Sequence, residues 1–144
     1  MATPVFVDTG AHYALVDVND PDHVEAVRTL QKIERLRQAL TTSNFVVSEV
    51  YTLLLKRVSR QVALSYVNGL RTGSTTIIRV IAEDEERAWG ILQQYHDQDF
   101  SYVDATSFAL MERLDISVFF AFDSHFSIVR TRPRKAFSDV RFMV

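Results

Sequence analysis

Apolar residues follow two spacings along the chain, and each spacing predicts a different kind of element. Short runs of β-branched and aromatic residues predict buried strands. Longer stretches with an apolar residue at every third or fourth position predict amphipathic helices. Strands are predicted at "PVFV", "ALTTS", "TTIIRVI" and "SVFFAF", and helices at "HVEAVRTLQKIERLR", "NFVVSEVYTLLLKRV", "RQVALSYVNGLR", "EDEERAWGILQQYHD" and "SYVDATSFALMERLD".

Residues at the ends of these segments refine the predicted bounds. Pro21 precedes the first helix, Asn44 is the expected N-cap of the second, and Gly73 is expected to end the third. The apolar residues that open "ALVDVNDPDH" are predicted to form a short turn. The apolar face of the first helix is predicted to comprise Val24, Val27, Leu30 and Ile33.

Strands that alternate with helices predict an α/β fold with a mostly parallel sheet. There is no internal repeat or linker, so we expect a single domain over residues 1–144. Ligands of open α/β sheets collect beyond the carboxyl ends of the strands, where the strand order reverses. Functional residues are therefore expected at that edge.

Two acids lie at the ends of predicted strands. Asp8 follows "PVFV", and Asp123 follows "SVFFAF". Each also precedes an apolar-periodic segment, so helix capping is the alternative role for either residue. The strand ends nevertheless place both carboxylates at the expected ligand-binding edge.

Two further acids lie on predicted helices. Asp104 follows Ser101 by three residues, which is the spacing of a capping box, and its helix face continues through Phe108 and Met111. Glu49 lies between Phe45 and Leu53, four residues from each, and so falls within the apolar stripe of its own helix. Glutamate is rarely buried unless it is paired or coordinates a metal, although an error in the helix phase would place Glu49 at the edge of the stripe.

Together these acids predict a metal centre. Four carboxylates in one crevice would raise one another's pKa values unless a cation neutralised them. Oxygen ligands without cysteine favour Mg²⁺ or Mn²⁺ over zinc. Such an ion can activate water and stabilise charge on a phosphoryl oxygen, which suits hydrolysis of a phosphodiester. The predicted ligands are Asp8, Glu49, Asp104 and Asp123.

Composition sets the broad class of protein. Of 144 residues, 47% are apolar and 24% are charged, which is ordinary for a soluble globular chain. The absence of cysteine excludes disulfides, thiolate nucleophiles and thiolate metal sites. No apolar run approaches the roughly 20 residues of a membrane span, and the N-terminus lacks the features of a signal peptide. We therefore expect a cytoplasmic protein without membrane association.

The net charge of −2 conceals a local basic segment, "RTRPRK". A smaller basic group occurs at "KRVSR". Clustered cations can contact a phosphate backbone, although for an isolated group a solvated loop or a protein contact is the favoured explanation. The candidate phosphate contacts are Arg130, Arg132, Arg134 and Lys135.

Four motifs resemble those of the PIN-domain ribonucleases, in particular toxins of the VapC type. "FVDTGAHYALVDVNDPDH" is similar to the opening of that family, and "TTSNFVVSEVYTLL" is similar to the segment that carries its glutamate. "DFSYVDATSFALM" and "VFFAFDSHF" resemble its third and fourth acidic motifs and are the most specific of the four. One departure follows the last motif, where a basic stretch replaces the glycine-containing turn of typical relatives.

The resemblance implies a three-layer α/β/α PIN-like domain that cuts RNA. Its metal site would hold one or two Mg²⁺ or Mn²⁺ ions on the four acids named above, with support from Thr9. The resemblance also implies a small antitoxin partner and a homodimer. Histidines are not part of the family pattern, so His12, His96 and His125 are expected to be surface or packing residues, and Asp99 an exposed loop acid.

Other classes explain the motifs less well. "DTGA" also occurs in retroviral-type aspartic proteases, but those folds are all-β and this chain is largely helical. A haloacid-dehalogenase-like phosphatase needs an acid where this chain has Gly10. A non-toxin RNA-processing PIN nuclease and a PIN-like module that binds RNA or protein without cutting remain as alternatives. Clustered acids facing phosphates argue against a pure binding module.

Overall fold

The strands of this chain form one parallel sheet. The computed structural model describes residues 2–132 and 134–143. All four strand pairings are parallel, as the sequence predicts for most of the sheet. The strands are β1 (Pro4–Val7), β2 (Ala39–Ser43), β3 (Thr76–Ile78), β4 (Val118–Phe120) and β5 (Ser138–Asp139), in the spatial order β3-β2-β1-β4-β5.

Helices connect these strands, and every predicted helix is present. The segment after β1 forms a helix of eight residues, as the family resemblance implies, so the short turn predicted from its apolar residues is wrong. None of the helices in the described ranges is both long enough and apolar enough to span a membrane. The helices are α1 (Thr9–Val16), α2 (His23–Arg35), α3 (Asn44–Arg57), α4 (Arg60–Thr72), α5 (Ala82–Gln94), α6 (Tyr102–Arg113) and α7 (His125–Ile128), with a 3₁₀ turn at Val140–Phe142.

The alternation of side chains along the strands produces three layers. Val5 and Val7 point to one face of the sheet, where they pack with Ala11 and Ile33 from α1 and α2. Phe6 points to the other face and joins a larger cluster built by α3, α4, α5 and α6. The predicted α/β/α arrangement is therefore confirmed, with the larger core on the side of α3 to α6.

The predicted apolar face of α2 is partly wrong. Val24 is 61% exposed, whereas the fully buried positions are Ala26, Thr29 and Ile33. A helix turns about 100° per residue, so positions spaced strictly by three drift by about 60° at each step. After three such steps, Val24 faces away from Ile33.

Two predicted boundaries also differ from the structure. Ser43, not Asn44, is the N-cap of α3, because the Ser43 hydroxyl accepts the Val46 N–H at 3.1 Å. The Asn44 side chain instead accepts the Val80 N–H at 2.8 Å and ties α3 to the end of β3. Strand β4 ends at Phe120, so Asp123 lies in the loop that follows rather than at the strand end.

The strand order places a crevice between β1 and β4. From β1 the chain proceeds outward through β2 to β3, and then crosses to β4 on the other side of β1. Connections that leave neighbouring strands in opposite directions open a crevice at the carboxyl ends of those strands. Asp8 directly follows β1 and Asp123 is in the loop after β4, so both acids border this crevice.

Candidate metal centre

Asp8 is buried at the carboxyl end of β1. Its backbone N–H donates to the Phe120 carbonyl at 3.0 Å, which joins the ends of β1 and β4. The residue is at the N-cap position of α1, yet its side chain makes no capping hydrogen bond. Within residues 2–132 and 134–143, the Oδ1 atom of Asp8 has no hydrogen-bond partner although it is buried. Capping therefore does not explain this carboxylate.

Asp104 is held by the first turn of α6. Its backbone N–H donates to the Ser101 hydroxyl at 2.9 Å, and its Oδ2 accepts the Ser101 N–H at 3.1 Å. This is the reciprocal capping box that the sequence predicts. The same Oδ2 lies 2.8 Å from the Nδ1 atom of His125. The carboxylate is thereby fixed in orientation at the crevice.

Asp123 lies opposite Asp104 in the loop between β4 and α7. Its Oδ1 accepts the His125 N–H at 3.0 Å, which turns the carboxylate toward that residue. The side chain is 42% exposed and so remains open to solvent. Ligand atoms of Asp104, Asp123 and His125 lie within 4.8 Å of one another, close enough for the two carboxylates to approach one cation, and among the described residues Asp8 and Glu49 lie outside this group.

Glu49 is at the margin of the crevice. The buried face of α3 consists of Val46, Val50 and Leu54, and Glu49 is half-buried beside that face. The predicted position within the apolar stripe is therefore shifted to its edge. The negative charge of Glu49 still acts on Asp8. Glu49 therefore adds to the negative charge of the crevice.

The electrostatics of Asp8 indicate a need for positive charge. Burial raises its pKa well above the usual value, and the negative charges of Asp123, Asp104 and Glu49 raise it further, while the Thr9 N–H lowers it. The pKa of Asp123 is also raised, by partial burial first and then by Asp104. A divalent cation would satisfy the unpartnered Oδ1 of Asp8 and offset the repulsion. The acids present therefore fit Mg²⁺ or Mn²⁺.

His125 is the one residue at this site that the sequence analysis did not assign. It was expected to be a surface or packing residue, but its ring lies against Asp104 and close to Asp123. The one feature of the sequence that pointed to a role at this site is its position two residues after Asp123 in "FDSHF". Such proximity in sequence alone does not reveal a contact with an acid 21 residues earlier.

The remaining candidate residues differ in their burial. His12 is buried and packs against Tyr66, whereas His96 and Asp99 are exposed. Thr9 is buried next to Asp8, and its hydroxyl has no hydrogen-bond partner in the described part of the chain. That hydroxyl is consistent with the supporting role that the family resemblance implies for Thr9.

The basic segment leads away from the acids. Arg130 uses its guanidinium on the carbonyls of Ser127, Ile128 and Val129, so part of its hydrogen-bonding capacity is structural. The Arg132 N–H donates to Glu112 Oε1 at 2.6 Å. Glu112 is eight residues after Asp104 on α6, about 12 Å further along the helix axis.

A cavity accompanies this segment. It has a volume of about 620 Å³, and Arg87, Arg130, Arg132 and Arg134 line it together with Tyr95. Lys135 borders a separate, smaller cavity beside the start of β4. Pro133, within the same stretch, lies outside the described residues. The cations thus form a track that begins near α7 and runs toward the amino ends of the strands.

The fold and the acidic crevice define a class of protein. A model of the PIN domain matches residues 5–131, and the chain belongs to the PIN-domain family. A relative in Mycobacterium tuberculosis, the 23S rRNA-specific endonuclease VapC20, is 34% identical over 132 residues, which cover 90% of this chain and 98% of that protein. The chain is therefore a homologue of a VapC endonuclease.

Solved structures agree with this assignment. The crystal structure of VapC20, a Sarcin-Ricin loop cleaving toxin, has a TM-score of 0.75 and 32% identity over 83% of this chain and 90% of that one. Two more distant structures share the fold. They are a toxin-antitoxin complex from Klebsiella pneumoniae (TM-score 0.59, 16% identity, 87% and 92% coverage) and PAE2754 from Pyrobaculum aerophilum (TM-score 0.62, 19% identity, 97% and 91% coverage).

Proposed function

We propose that this protein is a metal-dependent endoribonuclease and the toxin of a toxin–antitoxin pair. The observation that carries the proposal is the buried, unpartnered Oδ1 of Asp8, on a carboxyl group whose pKa is raised by burial and by acids from α6 and from the loop after β4. Burying a carboxylate oxygen without a partner costs free energy of folding unless a cation binds to it. The 34% identity to an endonuclease over 90% of the chain supports RNA as the substrate.

Each acid has a distinct part in the proposed reaction. Asp8, Asp104 and Asp123 would hold Mg²⁺ or Mn²⁺ directly, and Glu49 would do so directly or through water. A bound ion of this kind supplies a water of lowered pKa and stabilises charge on a phosphate oxygen. Asp123 is open to solvent, so it would hold the ion on the side from which water enters the crevice. The expected products carry a 5′-phosphate and a 3′-hydroxyl.

The cations would bind parts of the RNA that are remote from the cut. Arg130, Arg132, Arg134 and Lys135 extend from α7 along α6, so they would contact phosphates several nucleotides from the scissile bond. Contacts of this kind give affinity through release of counterions. They suit a structured RNA, and the relative's substrate makes 23S rRNA the first RNA to test.

A cleavage assay tests the activity. Purified protein is incubated with ribosomes or 23S rRNA in Mg²⁺ or Mn²⁺, with EDTA in a parallel sample, and cuts are mapped by primer extension. We expect cleavage that EDTA abolishes and that Asp8→Asn and Asp104→Asn reduce by at least 100-fold, as for removal of ligands of a catalytic ion. Binding of RNA without metal-dependent product would favour the non-cutting module instead.

Expression in cells tests the toxin assignment. We expect growth arrest that Asp104→Asn relieves and that co-expression of a small antitoxin suppresses. Co-purification of that antitoxin, and a homodimer in light scattering, are the expected assembly states. Cleavage in vitro without growth arrest would instead favour a housekeeping RNA-processing nuclease.

A further inference from the structure

His125 contacts two acids that come from different parts of the fold. Its backbone N–H donates to Asp123 Oδ1 at 3.0 Å, and its ring Nδ1 lies 2.8 Å from Asp104 Oδ2. The same ring nitrogen is 3.9 Å from Asp123 Oδ1. One residue therefore connects the first turn of α6 to the loop after β4.

The contact with Asp104 determines which ring nitrogen carries a proton. An ionised carboxylate only accepts hydrogen bonds, so Nδ1 of His125 must be the donor. Asp104 Oδ2 also accepts the Ser101 N–H at 3.1 Å. With two donors on Oδ2, the other oxygen, Oδ1, is the one left to face a cation. The imidazole thus selects the oxygen that Asp104 presents.

Packing keeps the imidazole in this place. The ring of Phe100 meets it edge to face, with centroids 5.3 Å apart and planes at 72°. The next residue, Phe126, is fully buried and packs edge to face on Phe108 of α6 at 4.8 Å. The main chain at His125 is therefore anchored to the same helix that carries Asp104.

We propose that His125 is a positioning residue of the metal centre, which orients Asp104 through Nδ1 and Asp123 through its backbone N–H. This inference rests on the proposed function, because it takes Asp8, Asp104 and Asp123 to hold a divalent cation. Hydrogen bonds to metal-binding carboxylates fix ligand geometry, and their loss typically weakens metal affinity 10–100-fold.

Mn²⁺ titration followed by electron paramagnetic resonance tests this role without requiring turnover. His125→Ala removes the ring, and His125→Phe removes the donor while it preserves an aromatic ring against Phe100. Both variants are expected to bind Mn²⁺ about 10–100-fold more weakly than the native protein. His125→Asn is expected to stay within about threefold of native affinity, because its amide N–H can replace Nδ1–H as the donor. His96→Ala, at an exposed histidine, is the matched control and should bind normally.

RNA cleavage by the same variants provides a second readout. His125→Phe should lower kcat and leave KM nearly unchanged, since His125 orients metal ligands rather than the RNA. Native affinity for Mn²⁺ in His125→Phe, or an Asn variant as weak as the Phe variant, would overturn the proposal. Nitrogen hyperfine coupling from His125 in the Mn²⁺ spectrum would also overturn it, by making the ring a direct ligand.

The two proposals fail in different ways. If the native protein binds no Mn²⁺ and cuts no RNA, the proposed function fails and the role of His125 fails with it. If the native protein binds and cuts but the His125 variants do so equally well, only the positioning role fails.

Discussion

Asp8 combines burial, negative charge and an oxygen without a partner, which makes it costly in the metal-free fold. Its pKa is raised by burial and by the nearby acids. Because the folded-state pKa exceeds the unfolded one, the unfolded state loses its proton first, so the metal-free protein loses stability as pH rises above the unfolded value of about 3.9. At neutral pH, this residue therefore opposes folding of the metal-free protein.

Asp8→Asn should consequently stabilise the metal-free protein at pH 7.5 while it abolishes the response to Mn²⁺. We expect a gain on the order of 1 kcal/mol, or a rise of about 2–4 °C in Tm. Thermal unfolding with EDTA and with Mn²⁺ measures both effects. Asp99→Asn, at an exposed acid, should change neither Tm by more than about 1 °C. Lower metal-free stability in Asp8→Asn would contradict this account of the crevice.

His12 is a second buried titratable residue, but its partners are neutral. The Thr42 hydroxyl donates to the Val7 carbonyl at 3.0 Å, so it accepts from Nε2 of His12 at 3.2 Å. The Tyr66 hydroxyl then donates to Nδ1 at 2.7 Å. This network has no place for an additional proton, and burial lowers the pKa of His12 to about 4.

Protonation of His12 should therefore lower the stability of the protein in mild acid, against the opposite contribution of Asp8. His12 has a lowered folded-state pKa, so its contribution is present above the unfolded pKa of about 6.5 and is lost as pH falls toward 4. Between pH 7.5 and pH 5 the expected loss from this residue is about 2 kcal/mol. Urea unfolding of the native protein and of His12→Gln measures it as the difference between their pH slopes. Equal slopes would show that His12 takes up its proton in the folded state.

At the scale of elements, the first turn of helix α6 contains both the helix cap and one of the proposed metal ligands. Ser101 caps the helix and at the same time fixes Asp104 through their reciprocal hydrogen bonds. The sequence predicted this correctly because a capping box depends only on residues three apart. The N-cap of α3 was missed because both Ser43 and Asn44 are good capping residues, and a contact between Asn44 and Val80 decides between them.

Ser101→Ala should therefore affect both stability and the metal centre. Loss of the cap costs about 1 kcal/mol, and a loosened Asp104 should weaken Mn²⁺ binding by about tenfold. Ser59→Ala removes the equivalent cap of α4, where the Ser59 hydroxyl accepts the Val62 N–H at 3.1 Å. This control should lose similar stability in urea unfolding but keep native affinity for Mn²⁺. If both variants bind Mn²⁺ equally, the cap does not orient Asp104.

At the scale of the whole molecule, the acids proposed to bind metal and the cations proposed to bind RNA lie in different places. The acids gather where β1 and β4 diverge, and the basic segment extends along α6 toward the opposite edge of the sheet. The alternation of strands and helices predicted the parallel sheet and the edge of it that the acids border. It could not predict the contact between His125 and Asp104 or the direction of the basic track, since both depend on how distant segments pack.

The separation predicts different kinetic effects for the two groups of residues. Arg132→Gln combined with Lys135→Gln should raise KM for long structured RNA severalfold, leave kcat within about twofold, and reduce the salt dependence of binding by up to two phosphate contacts. Cleavage rates at several salt and RNA concentrations measure this. Arg28→Gln combined with Arg35→Gln, on the outer surface of α2, is the charge-matched control. A fall in kcat with unchanged KM would place the basic segment at the chemical step.

The pairing of β1 with β4 also determines when the acidic crevice can form during synthesis of the chain. Val7 of β1 pairs with Phe120 of β4, so these two strands cannot pair until the chain has been synthesised beyond residue 120. A nascent chain still emerging from the ribosome carries Asp8 and Glu49 but not the loop that bears Asp123. The crevice therefore cannot assemble until that loop has been synthesised, and a chain that terminates before it lacks Asp123.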